Sequence, residues 1–305
     1  MRIATFDLAL FTSIHPGLCR APWMRLGLFL SLTLVLAGCA AIVSNATQGL
    51  AKGVSTAMLN QNDPELVRDG APAFMLMLDG AVSADPENVA LLLSASRLYG
   101  VYAGVFVVDN PERTRRLALR ARGYASRALC AARPAHCAML DLAFDPFQRK
   151  LKTFGSDDLD TLFAYAASWV GWISAASGDW HAIAQLPKVR EILEYVLLHE
   201  DNQEKPEVLM YLGVLDAQLP PAAGGKPEQA RRYFERAEAA SEGHNLMIKV
   251  LFARYYARLV FNKQLHDRLL HEVLEAPLQA PGLTLSNAIA KQRAKRLLAE
   301  SKDFF

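Results

Sequence analysis

The sequence predicts an all-α protein built of stacked helical hairpins, and three observations point there. Prolines sit where apolar-periodic runs begin, as in Asp63-Pro64 and Asn110-Pro111 and again at Pro187, Pro206 and Pro227. Proline is tolerated in the first turn of a helix, where its missing N–H costs nothing, and not further in. No stretch alternates apolar and polar residues as a half-buried strand would. The joints between helical runs are short. With 52% hydrophobic residues in 305, the chain can bury one large core or two small ones. Aromatics at 9% and only 18 glycines argue against disorder and against an all-β fold.

The first 38 residues read as a targeting segment, outside the fold. Met24-Arg25 precedes LGLFLSLTLVLAGC, an apolar run too short to stay in a bilayer as a permanent helix. It ends in Leu36-Ala37-Gly38-Cys39, where small residues would let a signal peptidase reach the bond before a cysteine that then receives lipid. Residues 1–23 look like an upstream extension, with Met24 the start. Ala40 stands where an aspartate would retain the product at the inner membrane, so outer-membrane sorting is expected. The expectation is a periplasm-facing protein anchored through lipid on Cys39, with residues 39–305 forming a single helical-repeat domain.

Formal charge is +2, and removing residues 1–38 takes Lys+Arg from 33 to 30 and Asp+Glu from 31 to 30. A neutral domain is a poor partner for nucleic acid, whose backbone demands excess Lys and Arg. Of four cysteines, Cys19 precedes the signal and Cys39 would carry lipid. Cys130 and Cys137 remain. They flank a helix end and a turn, so a short-loop disulfide is feasible in an exported domain. Two buried free thiols are the alternative.

From Ala40 to about Asn60 a small-residue amphipathic helix leaves the anchor. Asp63-Pro64 opens a helix to about Val82, and Asp85-Pro86-Glu87-Asn88 leads into the next. That helix continues as LLLSASRLYGVYAGVFVVD to Asp109, apolar nearly all round, which predicts burial between neighbours. Pro111 opens a helix to residue 130 with arginines at 113, 115, 116, 120, 122 and 127 and one acid, Glu112. Such a helix presents a solvated face, or a ridge for an acidic protein partner. A helix of roughly 137–150 should follow. Asp157 or Asp158 should cap TLFAYAASWVGWISAAS, which ends at Gly178. Helices from Pro187 and Pro206 come next, and the last two fall near 263–275 and 285–302.

One hairpin shows a repeat signature. In Leu209–Tyr256, the positions Leu212-Gly213, Ala230, Phe234 and Ala237 fall at the offsets of a tetratricopeptide (TPR) helix pair, with small residues where two backbones must approach. The spacing is broken by Pro220, Pro221, Gly224 and Gly225, a turn that forbids helix. The expected architecture is therefore a right-handed solenoid of degenerate TPR-like helical hairpins.

No motif for chemistry emerges. His199-Glu200 and His271-Glu272 each lack the second histidine of a helix-borne zinc site, and His266 and His271 are off one face. Gly224-Gly225-Lys226 lacks the upstream glycines of a phosphate loop, and no nucleophile elbow occurs. The expectation is a non-enzyme with no cofactor and no metal. Two aromatic stripes remain: Tyr99, Tyr102 and Phe106, then Tyr165, Trp169 and Trp172. Helical spacing alone explains them as core; their polar tips keep a ligand cavity open as the alternative.

Together, the LAGC box, the stacked helices, SWVGWISAASGDW, LPPAAGGKPEQARRYFERA and NLMIKVLFARYYA resemble the T component of tripartite ATP-independent periplasmic (TRAP) transporters. The resemblance covers roughly 36–300 and is most specific over Leu219–Ala257. Lys226 departs from it, because an acidic residue is common after the glycine pair. The resemblance implies a TPR-type lipoprotein that assembles with a periplasmic solute-binding protein. It also implies a hydrophobic channel for a small organic solute, for which the two aromatic stripes are the candidate lining. An envelope scaffold without ligand is the rival reading, and the oligomeric state, homo-oligomer included, is open.

Overall fold

Capping side chains and prolines start the helices. The Asp63 carboxylate accepts from the N–H groups of Glu65 and Leu66, and Pro64 occupies the first turn of α1 (Pro64–Ala84). Asn88 caps α2 (Val89–Val105), and Asn110 with Pro111 starts α3 (Pro111–Ala132). Each cap satisfies N–H groups that the helix itself leaves without partners. The computed structural model describes residues 53–305 except 177, 200–204 and 219–220. The expected signal segment, Cys39 and Pro220 lie outside the described residues.

The chain continues through α4 (Phe144–Leu151), α5 (Leu159–Ala175), the one-turn α6 (Trp180–Ile183), α7 (Leu186–His199) and α8 (Pro206–Ala217). Then come α9 (Pro227–Ala240), α10 (Leu246–Leu251), α11 (Lys263–Glu275), α12 (Thr284–Ala299) and the short α13 (Ser301–Phe304). Among the described residues all regular structure is helical, and no strand occurs. Residues 54–305 form one compact unit.

Several boundaries differ from the sequence expectation. The helix expected over 137–150 is replaced by 3₁₀ turns at Pro134–His136 and Met139–Asp141, and α4 begins only at Phe144. Pro146 accounts for this start, since a proline is accommodated at no cost in a first turn and costs a hydrogen bond further in, as at Pro72 inside α1. The second helix starts at Val89 rather than Pro86 and ends at Val105, short of Asp109. Asp158 does precede α5, yet its carboxylate goes elsewhere: Arg133 donates to both oxygens at 2.8 and 2.9 Å, and the Gly155 N–H donates at 2.9 Å. After Leu251 the helix widens into a π-helical turn, Phe252–Ala257, which the sequence reading did not anticipate.

Neighbours in sequence pack as neighbours in space. α2 lies against α1, α3 and α5, as its apolar circumference requires, and α8 lies between α7 and α9. A single core extends from Ala125 to Leu297, with Trp169 and Tyr165 its largest fully buried side chains. The last helices of the chain return to the first described ones. Arg293 donates to the Gly104 carbonyl at 2.7 Å, and the Gly282 N–H donates to Asn60 Oδ1 at 2.8 Å.

Candidate functional site

Tyr99 and Tyr102 on α2 are buried, and Phe106 just beyond it is half-buried. The Tyr99 hydroxyl donates to Asp79 on α1 at 2.7 Å, and Tyr124 on α3 donates to the same carboxylate at 2.5 Å. Arg120 donates to it too, at 2.7 Å, and its guanidinium lies 5.2 Å from the centre of the Tyr99 ring. Burial, reinforced by Asp79, raises the pKa of both tyrosines, so they stay neutral donors. This network ties three helices together through one acid. Tyr102 packs on Phe106, with ring centres 5.5 Å apart, and Arg113 lies over its face.

The second stripe runs through α5. Tyr165 and Trp169 are wholly buried, with ring centres 5.4 Å apart, and Trp172 is half-buried at the edge of the core. Trp169 Nε1 has no hydrogen-bond partner. The Tyr165 hydroxyl faces Ser126 and Arg122 without a hydrogen bond of normal geometry to either, and burial raises its pKa. Arg122 stacks over Trp172 at 4.4 Å and Trp169 at 5.1 Å. A guanidinium on two indole faces gains cation–π attraction and closes the stripe from solvent. The structure places the second stripe on α5 and the first on α2 and its C-cap, and buries Tyr99, Tyr102, Tyr165 and Trp169.

Cys130, near the end of α3, and Cys137, after the following 3₁₀ turn, are bonded through their sulfurs, with Cα atoms 4.6 Å apart. Nearby, His136 hydrogen-bonds Thr153 at 2.7 Å and packs against Phe154. Among the described residues no group of three His, Cys, Asp or Glu could hold a metal ion. No helix among them is long and apolar enough to cross a membrane.

A shallow cleft of about 630 Å³ opens where α5 ends. Arg115, Ala175, Ala176, Asp179, Trp180 and His181 line it, and Trp180 is 80% exposed. Trp180 closes the SWVGWISAASGDW motif, and nothing in that motif marks its exposure.

The sequence matches the family of TRAP transporter T-components over residues 60–305. The chain belongs to that family. Membership ties it to a TRAP transporter. Among curated proteins, no sequence matches this one.

In this T-component Arg293 and Asp79 lie outside every motif of the sequence. Arg293 on α12 donates to the Gly104 carbonyl, and its pKa is lowered by burial first and then by the positive charges of Arg254 and Arg296. The one available signal was the i, i+3 spacing of Arg293 and Arg296, which places both on one side of α12. Asp79 was equally inconspicuous, because its partners come 20, 41 and 45 residues later.

Proposed function

We propose that this T-component is a lipid-anchored, periplasm-facing protein that docks the solute-binding protein of its TRAP transporter. It also holds a small organic solute. The family match over residues 60–305 carries the reading. The LAGC box ending at Cys39 supports the anchor, with outer-membrane sorting suggested by Ala40. The offsets of Gly213, Ala230, Phe234 and Ala237 support a right-handed solenoid of TPR-like hairpins. The protein performs no catalysis; binding and docking are its work.

Exposed apolar side chains offer surface for docking. Trp180 stands beside the cleft, and Leu66, Leu76 and Met77 of α1 are 58%, 70% and 58% exposed. Apolar side chains exposed in this way are what a partner protein would cover on docking. The rival reading, an envelope scaffold without ligand, draws support from the complete burial of Tyr165 and Trp169.

Mild crosslinking of the native envelope, followed by purification of this chain, tests the docking. The solute-binding protein of the transporter should be recovered, and its absence beside abundant unrelated scaffold proteins would refute the reading. Cys39→Ser in the same cells should release the folded chain from the membrane fraction, because lipid supplies the membrane affinity. A variant that stays lipid-labelled would remove the anchor from the proposal.

A further inference from the structure

Beyond residue 38 the chain carries 30 Lys and Arg against 30 Asp and Glu, yet the charge is not spread evenly. Helix α3 holds six arginines and one acid, Glu112. Two of the six meet a carboxylate: Arg116 pairs with Glu112, and Arg120 pairs with Asp79. Arg113 lies over the Tyr102 ring, Arg122 lies over Trp172, and Arg127 donates to the Pro86 carbonyl at 2.9 Å. The Arg115 side chain is exposed and meets no acid among the described residues. Cations concentrated in this way on one helix of a neutral domain create a local positive field.

Arg115 and Leu119 lie one turn apart on the side of α3 that continues to Arg122, which stacks on Trp172 of α5 at 4.4 Å. That side therefore faces the seam between α3 and α5. Where α5 ends, the seam opens into the cleft of about 630 Å³, which Arg115 lines together with Ala175, Ala176 and Trp180. Trp180 is 80% exposed and Leu119 52%. The exposure of Trp180 is not that of a loose turn. Asp179 caps α6 by accepting the His181 N–H at 2.9 Å, and Ala182 is fully buried in the core. An indole mounted on an anchored turn, beside an unpaired guanidinium in one recess, has the composition of an interface hot spot, where Trp and Arg are enriched.

We propose that this cleft is where the solute-binding protein docks, and that it receives an acidic segment carrying an apolar side chain. A carboxylate of that segment, drawn by the field of α3, meets Arg115 in charge-assisted hydrogen bonds. Its apolar side chain covers Trp180, removing indole surface from water. The exposed apolar residues of α1 lack this charge complement. Around Leu66 the sequence supplies Glu65, Arg68 and Asp69, and that arginine is already paired with both acids. A phospholipid surface fits less well, since a recess beside an exposed indole admits a protruding segment more readily than a flat layer of head groups. This deepens the docking half of the proposed function and rests on it, independent of solute binding.

Site-directed photo-crosslinking of the full-length protein, in cells that carry the transporter, tests the face. Benzoylphenylalanine replacing Trp180 should capture the solute-binding protein, and the same group replacing Leu76 on α1 should not. The captured peptide should hold Asp and Glu in excess over Lys and Arg. With purified partners, Trp180→Ala and Arg115→Glu should each weaken binding by about tenfold or more. Added salt should weaken the parent several-fold and Arg115→Glu far less. Both side chains are exposed, so the melting temperature of each variant should stay at the parental value. Capture from position 76 alone, a basic captured peptide, salt-independent binding, or full binding by both variants would each overturn the assignment. So would binding of Cys39→Ser protein to phosphatidylglycerol vesicles that Arg115→Glu abolishes, which would give the face to lipid. If crosslinking of the native envelope recovers the solute-binding protein while position 180 captures none, this face alone is wrong and docking stands. If that crosslinking recovers none, docking and its face fall together.

Discussion

The Phe234 ring lies against Gly213 so closely that a Cβ there would stand 3.0–3.1 Å from three ring carbons. The ring has little room to yield. It is fully buried and stacks on Phe252, with centres 5.1 Å apart and planes 17° from parallel. Helix propensity favours Gly213→Ala by about 1 kcal/mol, whereas overpacking a tight core costs about 1–3 kcal/mol. Overpacking should win. Urea denaturation of Gly213→Ala is expected to show a net loss of about 1 kcal/mol, and an unchanged or raised midpoint would show that α8 and α9 can separate freely.

That contact was legible in the sequence because a hairpin encodes its closest approach locally, in residues 21 apart joined by one turn. Gly224, with φ +90°, likewise had to be glycine or something close to it for the turn to form. Contacts made across the whole chain were not legible. Nothing near Arg293 in sequence announces Gly104, 189 residues away, and nothing around Asp158 announces that Arg133 would claim its carboxylate. The π-helical turn was hidden for another reason: FARYYA is an ordinary helical pattern, and no residue type in it marks where a helix widens. Spacing groups the aromatic residues into stripes and says only that the residues of each share a face. Whether that face meets core or cavity depends on the helices opposite.

The bond between Cys130 and Cys137 closes a loop with a sequence separation of 7. So short a loop restricts the unfolded chain modestly, and breaking it should cost about 2–3 kcal/mol. Intact mass after alkylation without reductant is expected to show both cysteines protected. Two alkylated thiols at these positions would contradict the bond.

Acid should weaken the fold in a window set by buried histidines. His266 is fully buried, with Nδ1 2.9 Å from Asp267 and Nε2 without a partner. Its pKa is lowered chiefly by burial, and Arg258 and Lys263 add to this against the pull of Asp267. Burial lowers His136 as well. A depressed histidine contributes stability that is complete above its unfolded value, about 6.5, and is lost as pH falls through the folded value. Asp267 is also depressed, held by Lys263, Ser301 and His266, but its own share disappears only in much stronger acid. The denaturation midpoint should therefore fall between pH 7 and pH 5, with a shallower slope in His266→Gln. If His266→Gln and His136→Gln both keep the parental slope, the acid sensitivity has another source.

Trp169 separates a ligand protein from a plain scaffold. Its indole is wholly buried beside Tyr165 and beneath Arg122, and its N–H makes no hydrogen bond. If the stripe is packed core, Trp169→Ala leaves a large hole and should cost about 3–5 kcal/mol. Trp169→Phe should cost far less, since it also removes an N–H that pays a desolvation penalty unanswered. If the stripe instead lines space that a solute enters, truncation to alanine should cost little stability and should alter binding of the solute or of the solute-binding protein. Chemical denaturation of both variants, run beside capture of the solute-binding protein, distinguishes the outcomes. The complete burial of the ring favours the first, with a large loss for alanine, a small one for phenylalanine, and capture unchanged once the fold is restored at low temperature. That result would leave the α5 stripe as packed core and favour the scaffold reading. A small loss for alanine together with altered binding would place the solute at α5.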